Sequence, residues 1–295
     1  ADIKRRGGSV IFISHDLGEV LKLCDHITVF RDGHYVDTVS NDKDLDEDAL
    51  KRLMIGRELE GKYYRDDYGT PISDEVVLQA QDLCLDNRLE HISLELHRGE
   101  ILGLAGLSEC GMHELAKILF GACRPDSGSV RLLPKGREIT SIRSAVSNDI
   151  AYVAKNRDRE SLMSTARIID NISIVNMDKF RVGFFLSPKK EYRFADEQAK
   201  KIHVKMVNVK QNISDLSGGN KQKVALVKWI ARDARILILD CPTRGIDIKV
   251  KADIYELMRS LKEEGKSIII ISEELLEVIG MSDRILVMKN GRISG

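Results

Sequence analysis

The sequence predicts an α/β protein, a sheet covered by helices and interrupted by a long polar insertion. Three observations carry this reading. From about Glu75 onward, short β-branched apolar runs alternate with amphipathic stretches, the rhythm of strands packed under helices. Residues 165–213 break that rhythm, read as mostly helical, and are long enough to form a subdomain. The two ends of the chain also match each other, residues 3–33 against residues 261–291.

Element by element, strands are expected at 75–84, 92–97, 100–104, 129–133, 150–153, 235–239, 267–271 and 284–289. Helices are expected at 112–120, 219–232 and 250–264, where apolar residues recur at helical spacing. The end-to-end match aligns Val10-Ile11-Phe12-Ile13-Ser14-His15 with Ile268-Ile269-Ile270-Ile271-Ser272-Glu273. Its register holds through Gly7 and Gly265, Glu19 and Glu277, Asp25 and Asp283, and Gly33 and Gly291. Each copy reads as a strand, a short amphipathic helix and a second strand ending in a glycine turn. The expected organisation is therefore the tail of one domain (1–39), a charged linker (40–74) with a short helix from Asp48 to Ile55, and a complete second copy (75–295) whose helical subdomain covers about 160–213. Because the chain opens on Ala1 without Met and stops at Gly295 directly after a strand, both ends are expected to be cuts in a longer polypeptide.

Composition narrows the function. Lys plus Arg number 46, as do Asp plus Glu, so no net charge draws the chain to nucleic acid, which is not expected as a partner. The apolar runs are strand-length, and any membrane link must pass through another protein. Five scattered cysteines lack the C-x-x-C spacing of zinc or redox sites and suit a reducing cytoplasm.

Strand-forming Ile101 to Ala105 leads into Gly106-Leu107-Ser108-Glu109-Cys110-Gly111-Met112-His113 and then a helical run. This has the outline of a phosphate loop, in which backbone N–H groups and a helix N-terminus cradle phosphate. Met112 and His113 stand where such a loop needs a lysine for the phosphate charge and a hydroxyl for Mg²⁺. Two glycines can also simply turn a strand into a helix. Farther on, Leu216-Ser217-Gly218-Gly219-Asn220 precedes a basic helical run, so a hydroxyl, two open glycine N–H groups and a helix dipole converge on one point. An ordinary N-cap loop has the same look. Ile236 to Leu239 then ends in Asp240, followed by Cys241-Pro242-Thr243-Arg244-Gly245-Ile246-Asp247.

On these motifs the chain resembles the ABC ATPase family, and with Lys221-Gln222-Lys223, the run Ile150-Ala151-Tyr152-Val153 before Lys155-Asn156-Arg157, and Ile55-Gly56-Arg57-Glu58-Leu59 it is similar to the tandem ribose/galactoside-type uptake subunits. The resemblance implies a P-loop NTPase fold with a mixed sheet core, an antiparallel β subdomain and an inserted helical subdomain. It implies ATP and Mg²⁺ as cofactors, two membrane-spanning permease subunits and, indirectly, a substrate-binding protein as partners, and a peripheral place on the cytoplasmic face of the membrane. In such proteins each ATP lies between the phosphate loop of one domain and the L-S-G-G segment of the other. His15, the switch histidine, and Asp247 are thereby implied as catalytic-site residues, and Leu216 to Asn220 as an ATP contact in trans. Gly106, Ser108, Gly111, Met112 and His113 form a degenerate phosphate loop, and Asp240 is the residual metal position. Cys241 replaces the glutamate that polarises water, Glu273 the switch histidine and Lys155 a glutamine. The damaged elements would border one composite site and the intact ones, with the chain's own first ATPase domain, the other. This domain would then be the activating half of an ATP-hydrolysing translocase, and this chain alone would be inactive. A non-hydrolysing regulatory ATP-binding module and a soluble non-transport ABC ATPase are the competing expectations.

Overall fold

A computed structural model describes residues 2–14, 17–31, 33–42, 45–55, 64–65, 67, 71–107 and 109–294. It divides into two compact units, residues 1–63 with Asp247–Ala252, and Tyr64–Ile246 with Asp253–Gly295. His15, Ser108 and the run Gly56 to Leu59 lie outside the described residues.

The first unit contains helices α1 (Asp2–Arg5), α2 (Leu17–Leu23) and α3 (Glu47–Ile55), with an antiparallel hairpin of β1 (His26–Arg31) and β2 (His34–Ser40). Its small core joins Leu17 and Val20 of α2, Ile27 and Val29 of β1, and Leu50 of α3. Asn41 holds the end of α2, its amide donating to the carbonyls of Leu21 (2.6 Å) and Cys24 (2.7 Å). The strand expected at Val10 to Ser14 does not form: these residues lie in no element, and Ile11 and Ile13 are almost fully exposed. The physical reason is visible in the matching copy. There Ser267–Ser272 is buried throughout because it pairs on both sides. An all-apolar strand is stable only between such neighbours, and none flanks Val10 to Ser14 among the described residues.

The second unit runs β3 (Val76–Leu85), β4 (Leu89–His97), β5 (Ile101–Gly106), α4 (Met112–Leu119), β6 (Ser127–Leu132), β7 (Arg137–Glu138), α5 (Ile142–Ser147) and β8 (Ile150–Val153). It continues through α6 (Ile168–Ser173), a hairpin of β9 (Arg181–Val182) and β10 (Phe185–Leu186), α7 (Pro188–Lys201), α8 (Gly218–Ile230), β11 (Ile236–Asp240) and α9 (Ile248–Glu263). The last elements are β12 (Ser267–Ser272), α10 (Leu275–Met281), β13 (Arg284–Lys289) and β14 (Arg292–Ile293).

The central sheet has the order β14–β13–β5–β12–β11–β8, parallel except for β14, and a separate antiparallel sheet has the order β4–β3–β6–β7. β11 and β12 are buried on both faces, as unbroken apolar runs in a parallel sheet must be. Gly103 lets α10 sit directly on β5, because a side chain there would collide with Val278 and Ser282. The stretch 165–213 is helical only in α6 and α7. The hairpin turning at Gly183 (φ 60°) and short 3-10 turns fill the rest, a correction to the mostly helical expectation.

Arg65 fastens the start of this unit. Fully buried, it donates to Asp283 (2.5 Å), to Asp67 (2.7 Å) and to the Met281 carbonyl (3.2 Å). Asp283 in turn accepts from Lys262 (2.8 Å) and from the Ile101 amide (2.7 Å), so the buried carboxylate is satisfied on every side. Although burial opposes ionisation, the hydrogen bonds from Arg65 and Lys262 hold the Asp67 carboxyl down at about 2.

Candidate functional site

The strand-loop-helix Ile101–Leu119 is built as the sequence predicts, and Gly111 (φ 95°) makes the turn into α4 where a side chain would strike the Arg88 carbonyl. Cys110 is buried against β5, its N–H donates to the Leu107 carbonyl (2.9 Å), and a methyl group at Gly106 would run into its sulfur. Burial pushes this thiol above its ordinary value, so it is neutral. Met112 is fully buried and offers no charge.

His113, one residue on, meets Asp240 at the end of β11, Nδ1 to Oδ1 2.7 Å. Its Nε2 is 3.0 Å from Lys155 Nζ, just past β8, and Lys155 Nζ is 2.6 Å from Glu273 Oε1, just past β12. An ammonium only donates, so His113 Nε2 accepts and its Nδ1–H points to Asp240. Tyr152 completes the group by donating to the other Asp240 oxygen (3.2 Å), and its phenol is pushed up by burial and then by the Asp240 charge. Three of the positions singled out in the sequence as departures thus converge. The two oppositely charged ones, Lys155 and Glu273, satisfy each other.

Cys241 follows Asp240 in a left-handed backbone conformation (φ 51°), with its N–H on the Ile271 carbonyl (2.8 Å). Burial, then the charges of Asp240 and Glu273, drive its thiol up to about 12. It carries no negative charge at neutral pH and cannot polarise water as a carboxylate does. His113, Asp240 and Cys241 bring one nitrogen, one oxygen and one sulfur within 4.8 Å of one another. Mg²⁺ demands oxygen ligands in an octahedron, and here Asp240 is already engaged by His113 and Tyr152 beside the Lys155 ammonium. The residues do not fit the Mg²⁺ that the phosphate-loop reading implies.

The Leu216 to Asn220 segment is intact and differently placed. Leu216 is buried and anchors it, Ser217 is exposed at the N-cap of α8, and Gly218 opens the helix. Ser217 Oγ accepts from Asn220 Nδ2 (2.9 Å), while Asn220 Oδ1 accepts from the Lys205 amide (2.7 Å). The Asn220 N–H is capped by Ser217 Oγ (3.5 Å), and the first turn of α8 carries no acid, so its dipole favours an anion. Asp247 caps α9, its carboxylate accepting from the Val250 amide (3.0 Å). Sequence reasoning missed Tyr152 and Arg157. The guanidinium of Arg157 lies against Gly218, where a methyl group would come within 2.8 Å of Nη2. Only the charged run 155–159 hinted at it.

A strand ending in a phosphate-type loop, a buried aspartate closing the parallel strand next but one to it, and L-S-G-G capping a helix define an ATP-binding cassette. Over residues 89–244 the chain matches the ABC transporter family, and it belongs to that family. It is 41% identical over 294 residues to the ribose import ATP-binding protein RbsA of Clostridium tetani, covering 99% of this chain and 57% of that protein. With a putative ribose/galactose/methyl galactoside import ATP-binding protein of Rhizobium etli it shares 38% identity over 295 residues, 100% of this chain and 56% of the relative. The chain therefore spans little more than half the length of these relatives. In fold it matches a dimeric post-hydrolysis ATP-binding cassette bound to ADP and phosphate (TM-score 0.65, 19% identity, 74% of this chain and 97% of that one). The expected mixed core sheet and separate antiparallel sheet are both present. No helix among the described residues is long and apolar enough to cross a membrane.

Proposed function

We propose that this chain belongs to the ATP-driven energy-coupling subunit of a sugar importer, and that its cassette completes an ATP site instead of housing one. Its own phosphate loop is silent, and Leu216 to Asn220 close over ATP held by the phosphate loop of a partner cassette. The observation that carries this reading is the contrast between two ends of one unit. At the α4 loop His113 and Lys155 are taken up by Asp240 and Glu273, while Ser217 at the α8 N-terminus is exposed and the first turn carries no acid. Residues 1–39, by their match to the end of the second copy, are read as the tail of that partner cassette, with His15 as its switch histidine and Asp247 beside the same site. The sugar-import assignment rests on the names and similarity of the relatives. It brings with it two membrane-spanning permease subunits, a substrate-binding protein and a peripheral position on the cytoplasmic face.

The test uses the full-length protein with its membrane subunits. Ser217→Arg should abolish ATP hydrolysis, because a bulky cation then fills the anion point at α8. Cys241→Ala should leave it nearly unchanged. Equal losses from the two would sink the division of labour, and failure to copurify with membrane subunits would sink the importer.

A further inference from the structure

Lys155 does more than neutralise Glu273, because the chain that leaves it runs to the L-S-G-G segment. Residues 155–161 form a short strap that closes on itself, the Ala154 amide donating to Ser161 Oγ (2.9 Å), with a π-helical turn over Arg157–Ser161. Its far side is spread along α8. Arg157 lies against Gly218 and donates to the Arg244 carbonyl (3.4 Å), Asp158 pairs with Lys221 (3.5 Å), and buried Lys228 donates to the Ser161 carbonyl (2.6 Å). Its near side is held by the Lys155 ammonium, clamped between His113 Nε2 (3.0 Å) and Glu273 Oε1 (2.6 Å). The strap thus links the phosphate loop to the segment presented at the other end of the unit, and every contact in the link is made by the protein's own side chains.

We propose that Lys155 is a positioning residue for the partner's ATP site: clamped by His113 and Glu273, it fixes the strap and through it the pose of Leu216 to Asn220, so that this segment is presented constantly, whatever nucleotide is present. The inference rests on the reading that Leu216 to Asn220 serve a partner's phosphate loop. A mere salt bridge between partly exposed groups would add a little stability and nothing else.

Hydrogen exchange of the full-length protein, resolved to peptides over 155–161 and 216–221, is compared for wild type and Lys155→Met beside steady-state ATP hydrolysis. In Lys155→Met, exchange over both peptides should rise about tenfold and kcat should fall about tenfold, while KM for ATP stays within about twofold, a loss confined to the transition state. Lys155→Arg should recover most of both. Glu273→Gln opens the same clamp from the other side and should give the same pattern, which guards against a misfolded Lys155 variant. Unchanged exchange over 216–221, or a fall in thermal stability with kcat per folded molecule unchanged, overturns the proposal. If Ser217→Arg leaves hydrolysis intact, the trans-acting reading falls and takes this role with it, whereas unchanged exchange with Ser217→Arg still abolishing hydrolysis sinks the positioning role alone.

Discussion

Lys155 and Glu273 stand 118 positions apart in sequence and 2.6 Å apart in space, and His113 bridges them to the buried Asp240. Together they satisfy one another's charge and hydrogen-bonding capacity. The substitutions are therefore a set, and their energetics should show it.

A double-mutant cycle on Lys155→Met and Glu273→Gln should return a favourable coupling of about 1 kcal/mol in urea unfolding, within the range for residues sharing one network. Strict additivity would mean that the pair is geometric coincidence.

Met112→Lys alone should not create a Mg²⁺-dependent nucleotide site in this loop. The new ammonium would enter a fully buried position, and His113 would still hold Asp240. Titration with a fluorescent nucleotide, with Mg²⁺ and with chelator, is the measurement. Binding that appears only with Mg²⁺ would refute the misfit of Asp240 and its neighbours to the ion.

Thiol labelling at pH 8 should divide the cysteines. Cys241, pushed up to about 12, and buried Cys110, also raised, should resist iodoacetamide in the native state, while half-buried Cys24, Cys84 and Cys123 react first. Peptide mass spectrometry after graded exposure reads the order, and early modification of Cys241 would contradict its burial.

Lys228 predicts a pH dependence of stability. Burial depresses its ammonium to about 8, so the folded state releases the proton at lower pH than the unfolded chain, whose lysine keeps the ordinary 10.5. Below about 8 both states are charged and the burial cost is constant. Between about 8 and 10.5 the unfolded state holds more protons, and wild type should gain stability relative to Lys228→Met as pH rises. A flat difference across that window would remove the depressed value.

Arg65→Met should destabilise the second unit by about 3 kcal/mol, because it leaves the buried Asp283 with one fewer cation. Chemical denaturation would measure it, and a change under about 1 kcal/mol would mean that Lys262 alone suffices.

Much of this fold was legible. Ile236 to Leu239 and Ile268 to Ile271 read as strands because short β-branched apolar runs alternate there with helical stretches, and both lie in buried strands of the parallel sheet. The L-S-G-G turn was legible because its chemistry is local: a hydroxyl, two glycines and a helix start in consecutive positions. What escaped was whatever depends on distant partners. Val10 to Ser14 carries the same apolar pattern as its copy yet forms no strand, since pattern specifies only what a segment can bury and neighbours decide whether it does. Lys155 and Glu273 each read as a loss, and only folding shows that the two losses meet. Arg65 carried no local pattern, and its partner Asp283 lies 218 residues away.

The His113–Asp240 bond ties these positions to one another. His113→Thr alone would remove a donor to Asp240, Lys155→Gln would remove the cation beside Glu273, and Glu273→His would set a second imidazole beside the ammonium. A change at any one of them is therefore felt by groups carried on other strands of the sheet.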